Sequence, residues 1–171
     1  MEPNLRPMDD VDRILDQWRL ARPDLDLRAM GPVGRLSRIA HQFSRRMGAT
    51  FARHGLNAAG FDVLATLRRA PAPHALSAGA LMNAMMITSG TMTNRIEQLV
   101  KAGLITRSPD PEDARRAVVK LTDRGFALVE GVLADHVATQ NALLTGLSAQ
   151  EAQQLDRLLA KLMVALESDA G

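Results

Sequence analysis

Hydrogen-bonding side chains recur along one side of residues 89–105, SGTMTNRIEQLVKAGLI. At 100° per residue of a helix, the apolar positions of this segment gather on one face, which predicts a buried face. The predicted buried residues are Met92, Ile96, Leu99 and Val100. The opposite face carries Gly90, Thr91, Asn94, Glu97, Gln98 and Lys101.

Amides and hydroxyls on such a face can match the donors and acceptors of a DNA major groove, and a lysine suits guanine or phosphate. We therefore expect this helix to contact DNA, although an ordinary solvated helix face shows the same pattern. The predicted contacts are Ser89, Thr91, Asn94, Gln98 and Lys101.

Two short β-like runs, residues 104–107 and 117–121, follow this helix and are joined by the loop SPDPEDARR. They predict a hairpin with a charged tip. Arg115 and Arg116 at the tip, with Lys120 behind them, suit contacts to a DNA backbone or a minor groove. The acidic residues of the loop would repel phosphate unless they pair with these arginines. A solvated loop is the alternative interpretation.

A second group of residues suits an anion. On the helical wheel Arg95 lies 40° from Leu99, so it borders the core, where an arginine requires an anionic partner. Asp62 and Arg69 project along nearly the same line but are separated by about 10 Å of helical rise. Asp62 is thus free to meet an arginine elsewhere, and Arg95 is one candidate. Trp18, on an apolar stripe near the N-terminus, offers a flat stacking surface. Taken singly, these residues are better explained as core, surface charges or a phosphate contact than as a ligand site.

Apolar periodicity places these residues on helices. The predicted helices cover residues 9–22, 27–54, 58–70, a short stretch from Ser77 to near Met86, 89–102, 122–144 and a last one from Ser148, whose leucines mark one face. Asp10 is the expected cap of the first helix, and Gly31 and Pro32 are expected to disturb the second.

The order helix, short helix, helix, β-hairpin is typical of a winged helix-turn-helix, so we predict a mainly α fold with a small β-hairpin. Residues 55–121 form the predicted DNA-binding region, and residues 27–54 and 122–171 the dimerisation helices. Residues 1–26 supply an extra helix that serves as a pocket wall or dimer contact. We expect one compact domain overall and a homodimer, because one recognition helix contacts only a half-site.

Charge is distributed unevenly along the chain. Residues 1–27 hold four Arg against seven acids, residues 28–124 fifteen Arg and Lys against six, and residues 125–171 two against six. The net charges are −3, +9 and −4, and a basic middle between acidic ends favours a nucleic-acid surface.

Other functional classes find little support. The chain has no Cys, which excludes disulfides, thiolate zinc sites and thiol-based sensing. It shows no nucleophile motif or Gly-rich phosphate loop, so we do not expect an enzyme or a cofactor. Four scattered histidines leave a metal-responsive regulator open but lack tight ligand spacing. No apolar run reaches the ~20 residues of a membrane span, so we expect a cytoplasmic protein without a membrane partner.

Residues 89–125, SGTMTNRIEQLVKAGLITRSPDPEDARRAVVKLTDRG, resemble the MarR family of transcriptional regulators. The resemblance rests on the recognition helix, the GLI.R run, a D-x-R wing at Asp113 and Arg115, and the LT..G run that ends at Gly125, and it extends over residues 27–166. Ala114 departs from the pattern, since relatives commonly have Arg there, and it leaves the wing one charge poorer.

The N-terminal helix with its tryptophan, the RPDLD run, the Asp and Arg seven residues apart and the NRI run are similar to the urate-responsive branch of this family. The resemblance implies that Trp18 stacks on or hydrogen-bonds an anionic effector such as urate or xanthine. Arg69 would hold the negative charge of this effector, Asp62 would be repelled by it, and Arg95 would transmit the disturbance to the recognition helix.

The implied function is a repressor that a small anion releases from a palindromic operator on double-stranded DNA. Two alternatives remain open at this point. One is a regulator of the same family that binds a different aromatic or phenolic ligand, and the other is a winged-helix DNA-binding protein that responds to no ligand.

Overall fold

The structure is a computed structural model that describes residues 7–85, 89–110 and 116–168. Its elements are α1 (Asp10–Ala21), α2 (Met30–Arg53), α3 (Ala58–Arg69), β1 (Ala75–Ser77), α4 (Ala78–Met85), α5 (Ser89–Lys101), β2 (Ile105–Pro109), β3 (Ala117–Leu121), α6 (Asp123–Leu143) and α7 (Ala149–Ser168). Contacts between residues divide the chain into two units, Met1–Arg46 and Met47–Gly171. Helix α2 begins in the first unit and ends in the second.

In the first unit, a capping box begins α1. The Asp9 carboxylate accepts from the Asp12 amide (2.9 Å), and the Asp12 carboxylate accepts from the Asp9 amide (3.0 Å). The expected cap Asp10 is therefore wrong by one residue, because only Asp9 has an acid three positions later that returns the bond. Arg35 of α2 donates to Asp9 (2.8 Å) and also to Asp12, and this bonding lowers the pKa of the Asp9 carboxyl.

In the second unit, α3 lies at the centre of the core. Asn57 caps its start by accepting from the Gly60 amide over 2.7 Å. Three α3 side chains are fully buried, and they pack with α4, α5 and the sheet. The buried apolar residues of this core are Phe51, Phe61, Val63, Leu64, Leu67, Leu81, Met92, Ile96, Leu99, Leu104, Ile105, Val119, Leu121, Val129 and Val132.

The predicted hairpin is confirmed as the antiparallel pair β2 and β3, with Ile105 opposite Leu121. A third strand, β1, pairs with the other edge of β3 and places Leu76 opposite Val119. Sequence patterning does not predict β1, because three residues are too few to show the alternation of apolar and polar side chains that indicates a strand.

The LT..G run joins the hairpin to α6. The Thr122 hydroxyl donates to the Gly103 carbonyl (2.9 Å) and accepts from the Gly125 amide (3.0 Å), which caps α6. Gly103 has a φ of +70°, a conformation that favours glycine. A Cβ on Gly125 would lie 1.9 Å from the Leu104 carbonyl oxygen. This run therefore has a packing role at the end of the hairpin.

Helix α6 contacts the end of α2 through polar pairs. Thr50 and Thr139 share a hydrogen bond of 2.8 Å, and His54 Nε2 lies 2.8 Å from the Asp135 carboxylate. Helix α7 has no buried residue, so its leucine face is exposed in the single chain. Among the described residues, no helix has both the length and the apolar character needed to cross a membrane.

Candidate nucleic-acid interface and anion pocket

The polar face of α5 is exposed as predicted. Met92, Ile96 and Leu99 are buried beneath it, whereas Val100 is 40% exposed, so the prediction that Val100 is buried was wrong. Val100 lies at the margin of the apolar stripe, about 80° from Met92 on the helical wheel. The exposed candidates for DNA contact on this helix are Thr91, Asn94, Gln98 and Lys101.

Two of these candidates are held together. Gln98 Nε2 donates to Asn94 Oδ1 over 3.2 Å, one helical turn apart. The hydrogen bond orients both amides on the exposed surface, where their remaining donors and acceptors can meet base edges. Ser89 is the first residue of α5, and its side chain lies outside what the structure describes.

The wing offers a second basic surface. Arg116 and Lys120 are exposed. The Asp110 amide donates to the Arg116 carbonyl (2.9 Å), one residue beyond the last strand pair of the hairpin. Arg115 falls within residues 111–115, outside the described residues, as do Asp113 and Ala114.

Arg107 was not predicted as a functional residue. It lines a cavity of about 500 Å³ with Arg116, next to Ser77 and Gly79 at the start of α4. Its place in the GLI.R run was a usable signal, because this run leads into β2, the first strand of the hairpin.

A second cavity, of about 370 Å³, lies between α3, the end of α4, α5 and α6. We call it the anion pocket. Its volume falls within the range of about 300–1,000 Å³ that is typical of small-molecule sites. Three of the four predicted ligand-binding residues line it. The lining residues are Phe61, Asp62, Ala65, Thr66, Arg69, Met85, Arg95 and His136.

Electrostatics in the anion pocket favour a negatively charged ligand. Partial desolvation raises the pKa of the Asp62 carboxyl, and the positive charges of Arg95 and then Arg69 oppose this rise. Within the described residues no hydrogen bond or ion pair joins the Asp62 carboxylate to either arginine, so their attraction acts through the space of the pocket. Two guanidinium groups face one carboxylate, which leaves an excess positive charge.

Arg95 also borders a smaller cavity of about 140 Å³, together with Gln98 and the start of α3. One side chain of α5 thus lies between the anion pocket and the exposed amides of the same helix. Trp18 belongs to the other unit, where it is 42% exposed, so its predicted stacking on a ligand stays a prediction.

His136 is the pocket residue that sequence reasoning missed. Its ring centroid lies 4.8 Å from that of Phe61 and 5.6 Å from that of Phe51. Burial lowers the pKa of the His136 imidazole, and the charge of Asp62 opposes this effect. The periodicity of α6 carried a signal, since His136 follows the buried Val129 and Val132 at seven and four residues and shares their face.

The fold, with an exposed polar helix beside a basic three-stranded wing, defines a winged helix-turn-helix DNA-binding protein. The family model for the MarR family matches residues 56–117. The transcriptional regulator PecS of Dickeya dadantii is 40% identical over 89% of this chain and 92% of its own length. The chain belongs to the MarR family of transcriptional regulators.

Solved structures agree with this assignment. A mutant of MarR from Escherichia coli in complex with operator DNA superposes with a TM-score of 0.69 and 27% identity, over 80% of this chain and 96% of that one. BpsR of Bordetella bronchiseptica, whose DNA binding is regulated by 6-hydroxynicotinic acid, superposes with a TM-score of 0.66. It is 30% identical, and the match covers 75% of this chain and 89% of BpsR. The protein is thus a DNA-binding transcriptional regulator and not an enzyme.

Proposed function

We propose that the protein is a homodimeric repressor that leaves a palindromic operator when urate or a related purine anion such as xanthine enters the anion pocket. The observation that carries this proposal is the meeting of Asp62, Arg69 and Arg95 around one cavity. Arg95 lies on the helix that exposes Asn94 and Gln98, so a ligand in the cavity touches the reading element directly.

The proposed DNA surface consists of α5 and the wing. Helix α5 enters the major groove and the wing follows the backbone or the minor groove. The proposed contacts are Ser89, Thr91, Asn94, Gln98, Lys101, Arg115, Arg116 and Lys120. The basic charge of residues 28–124 supports this placement, as does the operator complex of MarR from Escherichia coli.

The proposed homodimer uses the helices at both ends of the chain. Leucines on α7 are 36–62% exposed on one face. Such a continuous apolar face in a single chain indicates a partner surface. A second copy supplies the second recognition helix that a palindromic operator requires. We place this dimer in the cytoplasm.

The proposed coupling is electrostatic. A bound anion adds negative charge between Asp62 and the two arginines, which repels the carboxylate and draws the guanidinium groups toward the ligand. Displacement of Arg95 shifts α5, and the two half-site contacts no longer match the operator spacing. A coupling free energy of about 1–3 kcal/mol is enough to change occupancy several-fold or more. Trp18 is proposed to stack on the same ligand.

The test begins with DNA sites selected by the protein from a random library. Fluorescence anisotropy of a selected site then reports binding while urate or xanthine is added, and Trp18 fluorescence reports the ligand. We expect quenching and release of DNA in the same concentration range. Quenching without release of DNA would contradict the coupling. If neither quenching nor release is observed, the protein binds DNA but responds to no purine.

A different aromatic anion is the second candidate effector, because BpsR, whose DNA binding is regulated by 6-hydroxynicotinic acid, shares 30% identity with this chain. The same anisotropy experiment with 6-hydroxynicotinic acid separates the two candidates. Release at lower concentrations of this acid than of urate would favour the second.

A further inference from the structure

His136 presents one edge of its ring to the anion pocket. Phe51 and Phe61 pack against the ring, and these two phenyl rings also stack on each other with centroids 4.5 Å apart. Nδ1 is fully buried and has no hydrogen-bond partner among the described residues. Since His136 nevertheless lines the cavity, the opposite edge with Nε2 is the one that a ligand can reach.

The buried Nδ1 decides which form of the ring is present. A proton on Nδ1 would bury an N–H group without an acceptor, which costs more than burying a lone pair. Burial also lowers the pKa of the imidazole, which favours the neutral ring. The proton of this neutral ring therefore resides on Nε2, where it points toward the cavity as a hydrogen-bond donor.

The pocket then combines three donors with one acceptor. Arg69, Arg95 and His136 donate, and the Asp62 carboxylate accepts. A heterocyclic anion with carbonyl oxygens and a ring N–H offers a partner to all four groups, because its N–H donates to Asp62 even though the net negative charge of the anion repels the carboxylate. A benzene carboxylate such as benzoate brings no N–H or O–H donor for Asp62, so its negative charge repels the carboxylate without a compensating hydrogen bond.

We propose that His136 is a further ligand-recognising residue, whose Nε2–H donor acts with Asp62 to select oxo-heterocyclic anions over benzene carboxylates. This inference rests on the proposed effector function of the anion pocket. It assigns a role to a side chain whose buried nitrogen lowers the stability of the fold, a cost that proteins accept at functional sites.

Two substitutions separate ligand recognition from packing. His136→Phe keeps an aromatic ring and removes both nitrogens, so we expect the melting temperature to rise by about 2–4 °C while urate affinity falls about tenfold. His41→Phe, on the exposed surface of α2, is the matched control and keeps wild-type affinity. Isothermal titration calorimetry of the full chain with urate and with benzoate measures both affinities. The ratio of urate affinity to benzoate affinity should fall in His136→Phe.

A second pair of variants keeps the test decisive if His136→Phe does not fold. In His136→Gln the amide reaches the position of Nε2, whereas in His136→Asn it reaches only that of Nδ1. We expect Gln to bind urate within a few-fold of wild type and Asn to bind about tenfold more weakly. Wild-type urate affinity in His136→Phe, or equal urate affinities in the Gln and Asn variants, would overturn the proposed role of His136. Neither result would contradict the effector function of the anion pocket. A wild-type chain that binds no urate would overturn the effector proposal and this inference together.

Discussion

Arg69 offers the sharpest test of the anion pocket. Arg69 lines the cavity and lies at the end of α3, not on the proposed recognition helix α5. We expect Arg69→Ala to keep its affinity for DNA while the urate concentration needed for release rises at least about tenfold, since a charge-assisted hydrogen bond is lost. Anisotropy of operator DNA during a urate titration measures both properties.

Arg68 is the matched control for this substitution. It donates to Glu130 over 2.6 Å and lies 4.8 Å above the Phe126 ring, outside the cavity. Arg68→Ala should leave the urate response at its wild-type value. An equal weakening in both variants would mean that general loss of positive charge, and not the pocket, governs the response.

Lys101 tests the proposed DNA surface of α5. It is exposed in the last turn of α5 and is proposed to contact a phosphate or a guanine. Lys101→Ala is expected to weaken DNA binding and to reduce the slope of log affinity against log salt by about 1. Lys161→Ala on α7 serves as control. An unchanged salt slope in Lys101→Ala would remove this residue from the DNA surface.

The sequence predicts residues well where one helix decides their placement. The exposure of Asn94 and Gln98 follows from periodicity alone, and the position of Arg95 beside the core follows from its angle to Leu99. His136 could not be assigned in this way, because the pocket forms where four helices converge and its shape depends on packing between them.

At the scale of elements, Gly125 controls the junction between the hairpin and α6. Any Cβ there would collide with the backbone of Leu104, which cannot yield as a flexible side chain can. Gly125→Ala should lower the free energy of unfolding by about 3 kcal/mol or more, measured by urea denaturation.

Gly131, further along the same helix, is the control for Gly125. Its added Cβ would meet nothing within 4 Å, so Gly131→Ala should raise stability by about 0.5–1 kcal/mol through helix propensity. Similar effects in the two variants would contradict the packing role of the LT..G run.

Helix order and the hairpin follow from the sequence because long amphipathic segments and a charged turn leave few alternatives. Strand β1 and the cap Asp9 depend on partners that a local pattern does not reveal. β1 requires the free edge of β3, and Asp9 is distinguished from Asp10 by the acid at Asp12 that returns its bond.

At the scale of the whole molecule, the proposed dimer accounts for the exposed leucine face of α7. Leu162 is 45% exposed on α7. Leu162→Glu would place a charge in the proposed interface, so we expect a monomer by analytical ultracentrifugation and a large loss of affinity for a palindromic site. Gln153→Glu, on the opposite side of α7, should remain dimeric. A dimeric Leu162→Glu variant would exclude this face from the interface.

Thr122 has a consequence for the way the protein leaves DNA. Its hydroxyl bonds to the turn that ends α5, and the same turn leads into the wing. We therefore expect a movement of α5 to displace the hairpin as well, so that in the proposed mechanism both groove contacts of a half-site are lost together and the wing does not stay bound to the duplex.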